Sequence, residues 1–263
     1  MKYKEMKSKK LIYKICSALC AIVLAALLFS GAASLSPEDN VGMTITRAVG
    51  AASIMFLIAA FGYRILAPIP RGFLRAFPSV LPCIAVAVNN LHIIALATGR
   101  ATITADTREI LLFFIECFFV GLFEEAAFRG VVQMVLFERI GAKKYGVFVA
   151  VFISSAIFGV SHLANIISGA DVGASILQAG YSFLTGGMFS YVLIRTRSIW
   201  FCAFLHGIYN FCGYLVPQLG EVSGSLWTPA QIVLTASVAV IVGIYVVVYF
   251  VKVNSSEIEK MIL

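Results

Sequence analysis

Eight apolar runs, each close to the ~20 residues that cross a bilayer as a helix, follow one another along this chain at 11–33, 44–66, 79–98, 109–136, 146–168, 176–194, 199–217 and 230–251. A chain built this way is not made for water. Only 13% of its residues are charged and 60% are hydrophobic, whereas a soluble domain carries about a quarter of its residues as charges. The expected fold is therefore all-α, a polytopic membrane protein of about eight transmembrane helices. Residues 1–263 form a single membrane-embedded domain, with no soluble domain, linker or repeat.

Orientation follows from the positive charges, because short loops rich in Lys and Arg stay on the cytoplasmic side. The two termini and alternate loops hold sixteen of the 20 Lys and Arg residues, including Lys2 to Lys14, Arg64, Arg71, Arg75, Lys143, Arg195 and Lys252. The other loops hold Arg47, Arg100 and Arg108, and Arg129 lies within a span. Both termini are expected to be cytoplasmic. The net charge of +7 is topological, and nucleic acid is not a partner: no basic cluster is interleaved with aromatics on a soluble element. The start of the chain, apolar from Ile15 to Phe29 and followed by small residues Gly31 to Ser34, also has the layout of a secretory signal. An uncleaved first helix is the preferred reading. All six cysteines fall in expected spans, without a disulfide framework or a paired metal motif.

Function is sought among polar residues in spans, since a charge at mid-bilayer costs at least ~2.5 to 3.5 kcal/mol on the mildest scale. The fourth span carries Glu124, Glu125 and Arg129. Glu125 and Arg129 are four residues apart with the acid first, the favoured order for an ion pair on one helix face. Arg129 would neutralise Glu125, leaving Glu124, rotated by about 100°, free to hold or deprotonate a water. A structural charge cluster is the plainer alternative. His162 lies in the fifth span and His206 in the seventh, four residues before Asn210. That spacing puts an imidazole and a carboxamide side by side, as an oxyanion site requires. His92, in a span without acids, is read as structural.

In order along spans four, five and seven stand EEAAFR (124–129), FGVSH (158–162) and HGIYN (206–210), the pattern EExxxR, FxxxH, HxxxN. Over about 109–217, the motif-bearing core, this resembles the CAAX-prenyl-endopeptidase and bacteriocin-processing family of intramembrane proteases, also called CPBP or Abi. The resemblance implies peptide-bond hydrolysis inside the membrane. Glu124 and His162 would activate a water, His206 and Asn210 would bind the oxyanion, and Glu125 and Arg129 would support them. It implies a peptide or protein substrate at the bilayer, with or without a prenyl group, and a bacterial plasma membrane as the location. No cofactor is expected. The alternative is zinc held by Glu124, His162 and His206 with one position open, but Asn210 is a poor zinc ligand and no HExxH pair is present.

Other chemistries fit less well. Asp39, Asp106 and Asp171 fall in expected loops, so a two-aspartate mechanism has no reagents. Ser161 paired with His206 is a serine alternative. A transporter also buries Glu, Arg and His, yet here these residues crowd into three spans rather than two matching halves. A non-catalytic immunity protein with this fold would be expected to lose Glu124 or His162, and both are present. One geometric demand remains. Counting ~1.5 Å per residue from the nearest cytoplasmic basic residue puts Glu124 ~22 Å deep, His162 ~27 Å and His206 ~14 Å. Helices five and seven must start at different levels, or tilt, for these groups to share one water.

Overall fold

A computed structural model describes residues 12–20, 23 and 40–262. Its helices are α1 (Asn40–Ala60), α2 (Phe73–Asn89), α3 (Ile93–Ala97), α4 (Thr107–Glu125), α5 (Met134–Ile140), α6 (Gly146–Ser161), α7 (Val172–Thr196), α8 (Ile199–Leu219), α9 (Pro229–Lys252) and α10 (Ser256–Ile262). A π-helical segment, Ala126–Gln133, joins α4 to α5, and a 3-10 turn, His162–Ile166, continues α6. Residues 12–20 and 23 are also helical. Most of the rest of the expected first span, with Gly31 to Ser34 and Asp39, lies outside the described residues.

The protein is an all-α, polytopic membrane protein. Val41–Ala60, Gly146–Ile166, Ile199–Leu219 and Pro229–Lys252 are each long and apolar enough to cross a bilayer, and Phe73–Asn89 is a shorter apolar helix. The continuous stretch from Thr107 to Ile140 and the 25-residue α7 also have the length to cross, although they carry more polar groups. One large core runs through the bundle and includes Ile54, Phe123, Phe128, Phe158, Phe189 and Met261. α9 is apolar but little buried, as a helix facing lipid should be. At the other extreme of packing, Ile258 and Met261 tuck α10 back against the bundle, where the Met261 carbonyl accepts from Arg64 N–H at 2.7 Å.

Two expected spans are placed differently. The run expected at 44–66 is helical from Asn40 to Ala60 and then turns at Gly62, whose φ of 78° suits glycine. Arg47, assigned above to an outer loop, is therefore inside α1 and only 5% exposed. A lone arginine in an apolar run reads as a boundary in sequence, but it can be buried once another helix presents an acid to it. The run expected at 79–98 is not one helix. α2 ends at Asn89, and the residues after it form the short α3, where buried Ala95 joins Ala101 and Val216 with Leu96, Ile103 and Leu226 around them. Their apolarity covers one end of the bundle instead of crossing it.

That end is also where two of the helices bearing the motifs, α4 and α8, are tied together. β1 (Ala101–Ile103), just before α4, pairs antiparallel with β2 (Gly220–Val222), just after α8, in the register Ala101↔Val222, Thr102↔Glu221 and Ile103↔Gly220. α4 then starts from a capping box. Asp106 accepts from Glu109 N–H at 2.9 Å, and the Glu109 carboxylate accepts from Asp106 N–H at 3.0 Å. Asp171 caps α7 in a similar way through Ala174 N–H. Both described aspartates thus serve helix starts.

The opposite end of α8 resolves part of the depth problem. Ser198 and Ile199 are fully buried, and the loop 61–72 covers them. Ile199 N–H donates to the Ile65 carbonyl at 3.0 Å, Ser198 Oγ to that of Pro68 at 2.8 Å, and Trp200 Nε1 to that of Leu66 at 2.9 Å. α8 begins beneath a lid of chain, so counting from Arg197 understates how deep His206 lies.

Candidate active site

The site starts from glycine. α4 and α8 approach so closely that a Cβ built on Gly121 would lie 2.8 Å from the Ala203 carbonyl oxygen and 2.9 Å from Gly207 N. A Cβ on Gly207 would in turn lie 2.9 Å from Phe118 Cα. Small residues let membrane helices bring their backbones together in this way. One turn beyond Gly121 stand Glu124 and Glu125, and immediately before Gly207 stands His206.

His206 is gripped by both acids. Its Nδ1 lies 2.8 Å from Glu125 Oε1 and its Nε2 lies 3.5 Å from Glu124 Oε2. A carboxylate can only accept, so Nδ1–H donates to Glu125. Nε2 then donates only when the ring carries both protons, and accepts when it is neutral. All three side chains are almost wholly buried. The imidazole of His206 links the two acids.

Glu125 has further partners. Arg129 Nη1 lies 3.2 Å from Oε1, both side chains being fully buried, as the i,i+4 spacing leads one to expect. The pair is close without a well-aligned hydrogen bond, and the guanidinium lies instead over aromatic faces, 4.2 Å from the Phe158 ring centroid and 5.6 Å from that of Phe189. Cys202, one turn before His206, donates its thiol to Glu125 Oε2 at 3.2 Å.

His162 is the first residue of the 3-10 turn that follows α6. Its Nδ1–H donates to the Phe158 carbonyl at 2.9 Å, so in the neutral ring Nε2 is left as an acceptor. Phe158 is the hub between the histidines. Its ring meets His162 edge-on at 4.9 Å and His206 edge-on at 6.0 Å. Glu124 and His206 both lie near enough to His162 to interact with it electrostatically. Asn210 is half-buried one turn beyond His206. The structure thus brings Glu124, Glu125, Arg129, His162 and His206 into one buried cluster, with Asn210 on the next turn of α8.

The arrangement bears differently on the serine and zinc alternatives. Ser161 Oγ donates to the Phe158 carbonyl at 2.7 Å, while both nitrogens of His206 face glutamates, so no Ser161–His206 dyad is formed. For zinc, Glu124 Oε2 and His206 Nε2 are spaced much as two ligands of one tetrahedral ion, about 3.3 Å apart for bonds of ~2.0 Å. Among the described residues, however, no group of three or more His, Cys, Asp and Glu side chains is arranged to hold a metal ion.

Several residues of the cluster escaped the sequence reading. Phe189 stacks on His206 at 4.5 Å with ring planes 19° apart, and nothing in the order of residues marks it. Cys202 could have been found from its i,i+4 relation to His206. Phe158 was part of a motif but without a role. His92, read as structural, packs edge-on against Trp227 at 5.1 Å. The π-helical segment after Glu125 is a further local signal, since such segments recur at functional sites.

A comparison with protein families matches residues 106–212 to the one described as Rce1-like, type II CAAX prenyl endopeptidase Rce1-like. The matched stretch runs from the cap of α4 to two residues beyond Asn210 and contains all three motifs. It supports membership of the CAAX-protease family, and with it a membrane-embedded peptidase acting on a peptide or protein substrate. No curated protein and no solved structure matches the chain.

Proposed function

Taking as premise that the core at 106–212 belongs to the CAAX-protease family, we propose that this protein is an intramembrane endopeptidase of the glutamate type. Water sits between Glu124 and His162 Nε2. Glu124 takes one proton as the water oxygen attacks the peptide carbonyl carbon, and that proton passes to the departing amine nitrogen when the C–N bond breaks. His206, when its ring carries both protons, and the carboxamide of Asn210 donate to the oxyanion. Glu125 orients His206, and Arg129 holds Glu125. The observation that carries this reading is the buried imidazole of His206 held between two adjacent glutamates at the crossing of α4 and α8. The reaction is proposed to be metal-independent, with a zinc-assisted version as the second reading because Glu124 and His206 are spaced for it. The bacterial plasma membrane is the proposed location.

The test compares purified wild type with Glu124→Gln on a panel of prenylated and unprenylated peptides. Wild type should cut at least one, and an equally well-folded Glu124→Gln should cut none. Equal cleavage by the two proteins, or none by wild type on any peptide, would overturn the reading.

A further inference from the structure

α8 carries Asn210 on a stretch of weak helix. Gly207, Gly213 and Pro217 all lie inside it. Glycine lowers helix stability, and a proline leaves the carbonyl four residues earlier, here that of Gly213, without its helical donor. The two glycines are also where other helices reach the backbone of α8. At Gly207 the neighbour is Phe118 of α4. At Gly213 it is the side chain of Asn90, at the end of α2 and outside the matched stretch 106–212, and a Cβ on Gly213 would overlap the Asn90 amide nitrogen. That nitrogen donates to the Tyr209 carbonyl at 2.9 Å. A carbonyl can only accept, so the NH2 of the carboxamide is the end that faces it. Tyr209 immediately precedes Asn210, and its ring meets edge-on, at 6.4 Å, the same Phe189 ring that stacks on His206. Asn210 therefore stands midway between two close contacts, three residues from Gly207 and three from Gly213.

We propose that Asn90 is a positioning residue for Asn210: its amide, lodged against Gly213, clamps the turn of α8 that presents the Asn210 carboxamide to the oxyanion. The role rests on the reading of Asn210 as an oxyanion donor. Asn90 acts through the backbone of α8 and need not touch the substrate, and the space left by Gly213 is what lets it reach the Tyr209 carbonyl.

The experiment uses Asn90→Leu, Gly213→Ala and the double variant Asn90→Leu/Asn210→Ala in the full chain, with the peptide that wild type cuts best. Leucine is close to asparagine in size but has no donor, and the Cβ of Gly213→Ala displaces the Asn90 amide from the other side. Each single variant should lower kcat about tenfold, less than the ~10²-fold that a ~1 Å misplacement can cost, with little change in KM. In the Asn210→Ala background, Asn90→Leu should lower kcat no further, because the group it positions has been removed. A residue that only packs would lower kcat by the same factor with or without Asn210. That result, or an Asn90→Leu enzyme with the kcat of wild type, overturns the proposal. If Asn90→Leu does not fold, Gly213→Ala takes its place in the double variant. Amide hydrogen exchange gives a readout without turnover: between Gly207 and Pro217 it should quicken in both single variants. Unchanged exchange overturns the clamp whether or not any peptide is cut. Absence of cleavage by wild type overturns the protease reading, and the catalytic role of Asn90 with it, and leaves exchange to decide the contact.

Discussion

Nδ1 of His206 donates to Oε1 of Glu125 across 2.8 Å, between residues 81 apart in sequence. The same carboxylate lies 3.2 Å from the guanidinium of Arg129 with no exposure of either side chain. Removing one member leaves the others buried with an unbalanced charge, at a cost of ~3 to 5 kcal/mol for buried pairs in general. Glu125→Gln and Arg129→Ala should each lower folded yield and thermal stability in detergent as well as activity. Arg129→Lys should not restore either, since a compact, strongly hydrated ammonium does not replace the planar guanidinium that stands 4.2 Å from the Phe158 ring centroid. Normal melting of Arg129→Ala would show that the pair has no structural role.

The glycines at the crossing of α4 and α8 should tolerate no side chain. Gly121→Ala would set its Cβ against backbone atoms of α8, forcing the helices apart. A shift of ~1 Å in reacting groups can cost ~10²-fold in rate, and a loss of that order in kcat is expected. Gly243→Ala in α9, where a Cβ meets nothing within 4 Å, is the control and should behave as wild type. Full activity in Gly121→Ala would mean that the close approach does not set the site.

The proposed roles separate by the size of the loss. His162→Ala should abolish turnover together with Glu124→Gln, because the water loses one of its two holders. Asn210→Ala should leave activity lower by ~10² to 10³, as when one oxyanion donor is removed. Single-turnover rates measure both, and an Asn210→Ala enzyme as active as wild type would remove Asn210 from the oxyanion site.

Metal dependence can be decided directly. Protein stripped with a strong chelator and shown by elemental analysis to be free of metal should still cleave. Loss of activity that zinc restores would instead assign Glu124, His162 and His206 as ligands.

The positive charges predict both termini on the cytoplasmic side, with Asp171 and Glu221 outside. In a variant with its native cysteines replaced, an impermeant thiol reagent added to intact cells should label a cysteine at position 171 and spare one at 143. The opposite labelling would invert the topology.

What the sequence by itself determined is what can be written into short stretches of chain. Apolar length marked the membrane spans, and the four-residue spacing of Glu125 with Arg129 and of His206 with Asn210 marked shared helix faces, because periodicity along one helix is a local property. Where local apolarity served another purpose, the reading failed: the residues after Asn90 cover an end of the bundle, and Arg47 is buried inside α1. Tertiary structure alone decided which nitrogen of His206 meets which glutamate, and that Phe158 and Phe189 wall the cluster. These depend on how helices distant in sequence cross, which is set by glycine contacts such as Gly121 with Gly207, by the β1–β2 pairing that ties α4 to α8, and by the loop 61–72 that seats the start of α8 inside the bundle.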